Sequence, residues 1–96
     1  MDSEKYLDKH LVLCVKQMGG LCLKLVAVSM AGFPDRTILL SPGRVYFIEL
    51  KSKGQKPRPL QVWFHGILRG LGFRVEVIDN FEQLERFIQT ELHGIV

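Results

Sequence analysis

The sequence predicts an α/β fold: a mixed β-sheet flanked by helices, with elements in the order αβββαβα. Three observations carry that expectation. Apolar residues recur at helical spacing in three segments, four short runs rich in branched or aromatic residues lie between them, and a Ser-Pro-Gly turn joins two of those runs as a hairpin. Helices and strands in this alternation pack as a sheet covered by helices. With 96 residues the chain can bury one core but not two, so residues 1–96 are read as a single domain.

The first helix starts at Ser3, turns Leu7, Leu11, Cys14, Val15 and Met18 to one side, and stops at Gly19-Gly20. Cys22–Val28 is the first strand, followed by the turn-prone segment Ser29–Pro34. Thr37–Leu40 and Arg44–Lys51 are the second and third strands, joined through Ser41-Pro42-Gly43. Pro59 suits the first turn of a helix that continues through Leu60, Phe64, Ile67, Leu68 and Leu71, with Gly70 and Gly72 at its end. Arg74–Ile78 alternates as the fourth strand. Asp79-Asn80 then caps a last helix carrying Phe81, Leu84, Ile88 and Leu92, with Gln83 completing a capping box.

Several function classes are excluded by composition. No stretch resembles a membrane span, and the polar opening Met1-Asp2-Ser3-Glu4-Lys5 lacks the apolar segment of a secretory signal, so a cytoplasmic protein with no membrane partner is expected. Cys14 and Cys22 have no Cys-x-x-Cys spacing and read as reduced core residues. His10, His65 and His93 are scattered, which leaves little for a zinc site, and all three are expected at the surface or its boundary. No organic cofactor is expected. The net charge is only +3, but Lys51, Lys53, Lys56 and Arg58 stand in one stretch with no acid. Such a loop holds phosphate groups or is simply a solvated connector.

In the third strand, side chains two residues apart share a face, so Glu49 and Lys51 point the same way and Leu50 the other. Ionised groups at the end of a strand as apolar as Val45-Tyr46-Phe47-Ile48 are costly unless they pair or ligate a metal. Taken alone, the two read as a salt-bridged strand end. Asp35 changes the balance, because it precedes the second strand and can lie beside the third in an antiparallel hairpin, where two carboxylates would converge. A hard divalent cation, Mg2+ or Mn2+, takes oxygen ligands and few of them from protein. Asp35, Glu49 and the main-chain carbonyl of Leu50 meet that demand. The cation would polarise a phosphoryl oxygen and acidify a water, with the Lys51 ammonium offsetting charge on the phosphorus. In outline this is a phosphodiesterase site.

These residues resemble the PD-(D/E)xK nuclease superfamily and, within it, the virus-type replication-repair nuclease family (VRR-Nuc), in its free-standing phage and prophage form. Gly32-Phe33-Pro34-Asp35-Arg36 is similar to the family's Gly-x-Pro-Asp-Arg motif, and Phe47-Ile48-Glu49-Leu50-Lys51 to its Glu-x-Lys strand, at a similar separation. Glu4 and Gln61 also fall where the family places functional residues, and the resemblance covers nearly the whole chain. It implies a restriction-endonuclease-like fold, with metal ligation by Glu4, Asp35, Glu49 and Leu50. It implies catalysis by Asp35, Glu49, Lys51 and Gln61. The activity implied is a metal-dependent DNA endonuclease, acting as a homodimer on branched DNA such as four-way (Holliday) junctions. One departure stands out: His65 follows Gln61 by four residues, where the wider superfamily often carries tyrosine.

Each residue also has a plainer reading. Glu4 suits the first turn of a helix on dipole grounds alone, and Gln61 is also an acceptable helix-surface glutamine. Trp63 and Phe64 could stack on bases, but aromatics on an apolar helix face are expected in core or subunit packing. With Trp63 added, the apolar surface of the second helix is wider than one small sheet covers, which suggests a subunit contact. Arg36, Lys53, Lys56 and Arg58 are the expected DNA contacts. The rival functions are a nucleic-acid-binding module that does not cut, and an interaction subunit of a phage replication or packaging complex.

Overall fold

In the computed structural model, which describes residues 3–25 and 31–94, the elements follow the expected order. Helix α1 (Glu4–Gln17) is capped by Ser3, whose hydroxyl accepts the Tyr6 N–H at 3.1 Å. Strands β1 (Leu21–Leu23), β2 (Arg36–Leu40), β3 (Arg44–Leu50) and β4 (Arg74–Ile78) form one sheet in that spatial order. The β1–β2 and β2–β3 pairs are antiparallel and β3–β4 is parallel. A parallel pair needs a crossover. Helix α2 (Pro59–Gly70) supplies it, and helix α3 (Phe81–Phe87) follows β4 and continues as a π-helical turn, Ile88–Leu92.

Strand alternation divides the molecule into two cores. Tyr46, Ile48 and Leu50 of β3, with Ile38 and Leu40 of β2, face α1 and α3 and pack with Leu7, Leu11, Val15, Ile78, Leu84 and Ile88. The odd-numbered positions face α2, where Phe47 meets Phe64, Leu68 and Val75, flanked by Phe33 and Val45. The sheet is therefore a middle layer covered on both sides, and a strand buried on both faces is the reason β3 reads as a nearly unbroken apolar run.

Several boundaries differ from the sequence expectation. The first strand ends at Leu23; the last residues of the expected Cys22–Val28 strand, and the first two of the loop after it, lie outside the described residues. Its ladder partner β2 begins at Arg36, one residue before the expected Thr37, and is preceded by Pro34, which has no N–H to give, and by Asp35, whose carboxylate is engaged elsewhere. β3 stops at Leu50, although the Lys51 N–H still donates to the Ile78 carbonyl at 2.9 Å. The capping box of α3 is shifted by one residue: Asn80 accepts the Gln83 N–H at 2.8 Å, while the Gln83 side chain accepts from the Asp79 N–H at 3.2 Å. The last helix widens into its π turn, whose terminal carbonyls are met by Arg44 at Leu92 (3.0 Å) and the Tyr46 hydroxyl at Glu91 (3.3 Å).

Gly20, between α1 and β1, has no room for a side chain. A Cβ there would lie 2.8 Å from the Leu39 carbonyl oxygen and would overlap the Leu40 side chain. The Leu39 oxygen belongs to the sheet ladder and cannot yield. Gly20→Ala is expected to cost about 1–3 kcal/mol. At roughly 4–8 °C per kcal/mol for a domain of this size, thermal unfolding will read the loss directly.

Candidate active site

The site is built by register. β2 and β3 pair Arg36 with Ile48, so one step beyond the ladder Asp35 lies opposite Glu49. Asp35 is held there because its Oδ2 accepts the Leu50 N–H at 2.9 Å. Glu49, at an odd position of β3, faces α2. The buried face of α2 carries Gln61, Phe64, His65 and Leu68, at helical spacing of three, four and seven residues. Two of these polar side chains reach the carboxylate: Gln61 Nε2 donates to Glu49 Oε2 at 3.0 Å, and His65 Nε2 lies 3.4 Å from Glu49 Oε1. Lys51 brings its Nζ within 3.5 Å of Glu49 Oε2.

Gln61 works in two directions, since its Oε1 accepts the Arg58 N–H at 2.8 Å and so closes the first turn of α2. That turn is pressed against the loop that carries Asp35. Gly32, at φ 91°, has a position where a Cβ would sit 2.9 Å from the Leu60 carbonyl oxygen. Both the left-handed backbone and the close approach require glycine there. The loop before β2 and the N-terminus of α2 thus meet at the carboxylate pair.

Glu49 has no exposed surface, and His65 is 1% exposed. Burial, and after it the charge of Asp35, raises the Glu49 carboxyl from an ordinary 4.5 to about 8, against the opposing pull of Lys51. Burial, then the nearby Arg69 and Lys51 charges, lowers the His65 imidazole. Both shifts favour the uncharged forms, so the contact has more the character of a long hydrogen bond than of an ion pair.

The expectation that all three histidines lie at the surface or its boundary is corrected for His65. It is four residues from Gln61, on the same buried face, and that spacing was the signal for it. His93 is exposed, and His10 is half-buried, with Nε2 2.5 Å from Glu85 Oε1. Cys14 and Cys22 are free and half-buried, their thiols raised by burial. Lys53, Lys56 and Arg58 are exposed on the loop between β3 and α2.

Two expected site residues stand apart from the carboxylate pair. Arg36, at an even position, points to the α1 face, where Nε and a terminal nitrogen grip the Asp8 carboxylate at 2.7 and 2.8 Å. It is a strut between β2 and α1, and DNA contact would compete with that fork. Glu4, which helical spacing puts on the side of Leu7, is exposed because it begins the helix. Among the described residues no three histidines, cysteines or acids gather as a metal cluster.

Asp35 and Glu49 thus meet at the end of the two central strands of a mixed sheet, with Lys51 on the same strand face. No family model matches the chain. A protein named "Putative nuclease p44", from Acyrthosiphon pisum secondary endosymbiont phage 1, is 40% identical over 77 residues, covering 80% of this chain and 83% of that one. A solved structure described as "VRR_NUC domain" superposes with a TM-score of 0.85 at 30% identity, covering 92% of this chain and 96% of the other. The chain belongs to the VRR-Nuc nuclease family, phage type. No helix among the described residues is long and apolar enough to cross a membrane.

The raised Glu49 pKa has a stability consequence. The folded state keeps a proton that the unfolded chain releases near 4.5, so the stabilisation is fully present below that pH and is lost as pH rises through about 8. Glu49→Gln cannot ionise. In EDTA its melting temperature is expected to gain on the unmodified protein from pH 5 to 8 and to hold a lead of roughly 4 °C or more above that, which corresponds to about 1 kcal/mol. A lead that shrinks with rising pH would contradict the buried, repelled carboxylate.

Proposed function

We propose that this chain is a Mg2+- or Mn2+-dependent DNA endonuclease that hydrolyses phosphodiester bonds in branched DNA such as four-way junctions, working as a homodimer in the cytoplasm of a bacterial host. The observation that carries this reading is the opposition of Asp35 and Glu49 across β2 and β3, with Lys51 on the same face and Glu49 cut off from water.

The donor set fits a hard cation. A carboxylate whose ionised form is disfavoured first by burial and then by the charge of Asp35 is relieved by a divalent charge beside it. Asp35, Glu49 and the Leu50 carbonyl would hold it, while Glu4, the further ligand that the family resemblance implies, stands apart on α1. When bound, the cation supplies Lewis acidity at a phosphoryl oxygen and lowers the pKa of a water. Lys51 carries its charge beside the carboxylates, where negative charge develops on the phosphorus. Gln61 orients Glu49 from α2, and the exposed Lys53, Lys56 and Arg58 next to the site are suited to the phosphate backbone.

Support for two subunits comes from α2. Leu60, Val62, Trp63 and Ile67 are 38–55% exposed on its outer side, and clustered exposed apolar side chains are suited to a subunit contact. Two sites in fixed relation would give the paired incisions that a four-way junction requires.

Incubation with labelled duplex, flap and four-way DNA is the direct test, with Mg2+, Mn2+ or EDTA. Cleavage is expected with either cation and not with EDTA. Asp35→Ala and Glu49→Ala are each expected to cut at least about 100-fold more slowly while DNA affinity stays nearly unchanged; a wild-type rate in either variant would remove it from the site. Trp63→Glu is expected to give folded monomers that still nick but lose paired cutting, with sedimentation and junction cleavage as the readouts. Paired cutting by a protein that sediments only as a monomer would sink the dimer.

A further inference from the structure

α1 turns Leu7, Leu11 and Val15 to the core. Its opposite side carries Lys5, Lys9, Val12 and Lys16, whose spacings of four, three and four residues place them in one row. The three lysines are exposed, and at about 1.5 Å per residue the row is roughly 16 Å long. It borders an open groove of about 610 Å³, completed by Asp8, Leu13 and Arg36. Asp8 is the one acid there, and both its oxygens are held by Arg36. Four cations thus stand against a single carboxylate, so the face is positive over its whole length.

This face is separated from the carboxylate pair by the sheet. Glu49 faces α2, α1 covers the opposite side, and the row lies on the outside of α1. The domain measures 32 × 31 × 24 Å. A straight duplex seated on the loop after β3 would have to bend around the domain to reach the lysines, and DNA resists bending over so short a length. Branched DNA offers a second arm that already diverges.

We propose that the lysine row of α1, Lys5, Lys9 and Lys16, is a second binding site for the DNA phosphate backbone, occupied by an arm of branched DNA other than the arm that is cut. This rests on reading the chain as a branched-DNA endonuclease, and it gives that reading a physical source of substrate selectivity: a linear duplex engages one face, a junction two.

The three lysines are changed together to Gln, a good helix former, and separately to Arg. Circular dichroism establishes that both variants fold. Binding to a four-way junction and to a linear duplex is then measured in EDTA across a salt series. The Gln variant is expected to bind the junction at least about tenfold more weakly, with a salt slope reduced by about 0.9 for each phosphate that the row no longer neutralises, and to bind the linear duplex within about twofold of the unmodified protein. The Arg variant is expected to keep junction binding, and Mg2+-driven nicking of linear duplex is expected to be unchanged in both. Unchanged junction affinity in the Gln variant overturns the proposal. So does an equal loss on junction and duplex, which would put the row on the path of the cut strand. A change in sedimentation of the Gln variant also overturns it, since the row would then be a subunit contact. Failure of the endonuclease reading itself is distinguishable: the unmodified protein would cut no DNA, while the binding difference could still be read.

Discussion

A carboxylate without water is the constraint around which this small domain is arranged. Glu49 lies at the end of β3, inside the layer between sheet and α2, and everything within reach of it either shares its proton or answers its charge. Asp35 opposes it, Lys51 attracts it, and Gln61 and His65 take one oxygen each. Buried polar groups are costly unless bonded. The first two turns of α2 are therefore specified as much by what Glu49 requires as by the apolar packing of Phe64 and Leu68.

Because β3 is covered on both sides, its alternation assigns separate tasks to neighbouring residues. Ile48 and Leu50 hold α1 and α3, while Phe47 holds α2 and Glu49 points into the layer beneath α2. The same rule separates Asp35 from Arg36. Adjacent in sequence, they serve opposite faces: one accepts the Leu50 N–H beside Glu49, the other forks onto Asp8 of α1. A residue's place within a motif is thus no guide to its partner, and the face it occupies is.

This explains what was legible in the sequence. Helical and strand periodicities recovered the order of elements, and the Ser-Pro-Gly turn marked the hairpin, which is why Asp35 could be placed beside the third strand; the register that sets it opposite Glu49 came from the structure. Gln61 was found through the family resemblance. What escaped was set by tertiary contact. Periodicity puts His65 on the buried side of α2, but a lone histidine carries no local sign that a buried acid awaits it. Arg36 looks like any motif arginine until Asp8, 28 residues earlier, is brought beside it. The end of β1 depends on where its partner β2 begins, and the π turn closing the last helix has no local sequence mark.

The salt-bridged strand end was the plain alternative for Glu49 and Lys51; the two do lie 3.5 Å apart, but in surroundings that disfavour the ionised acid. A structural ion pair should lower the acid's pKa, whereas here burial and Asp35 together outweigh the lysine and raise it. If packing were all that mattered, an amide or an apolar residue would fill the position at less cost, since buried ion pairs are often replaced by such residues without loss of stability. Retaining an acid where folding alone favours its neutral form makes sense if the ionised form has a use, and a divalent cation shared with Asp35 is the partner that would stabilise it. The instability stored in the metal-free site and the affinity proposed for the metal are then two sides of one electrostatic balance, and the enclosure formed by Gln61 and His65 keeps water from relieving it first.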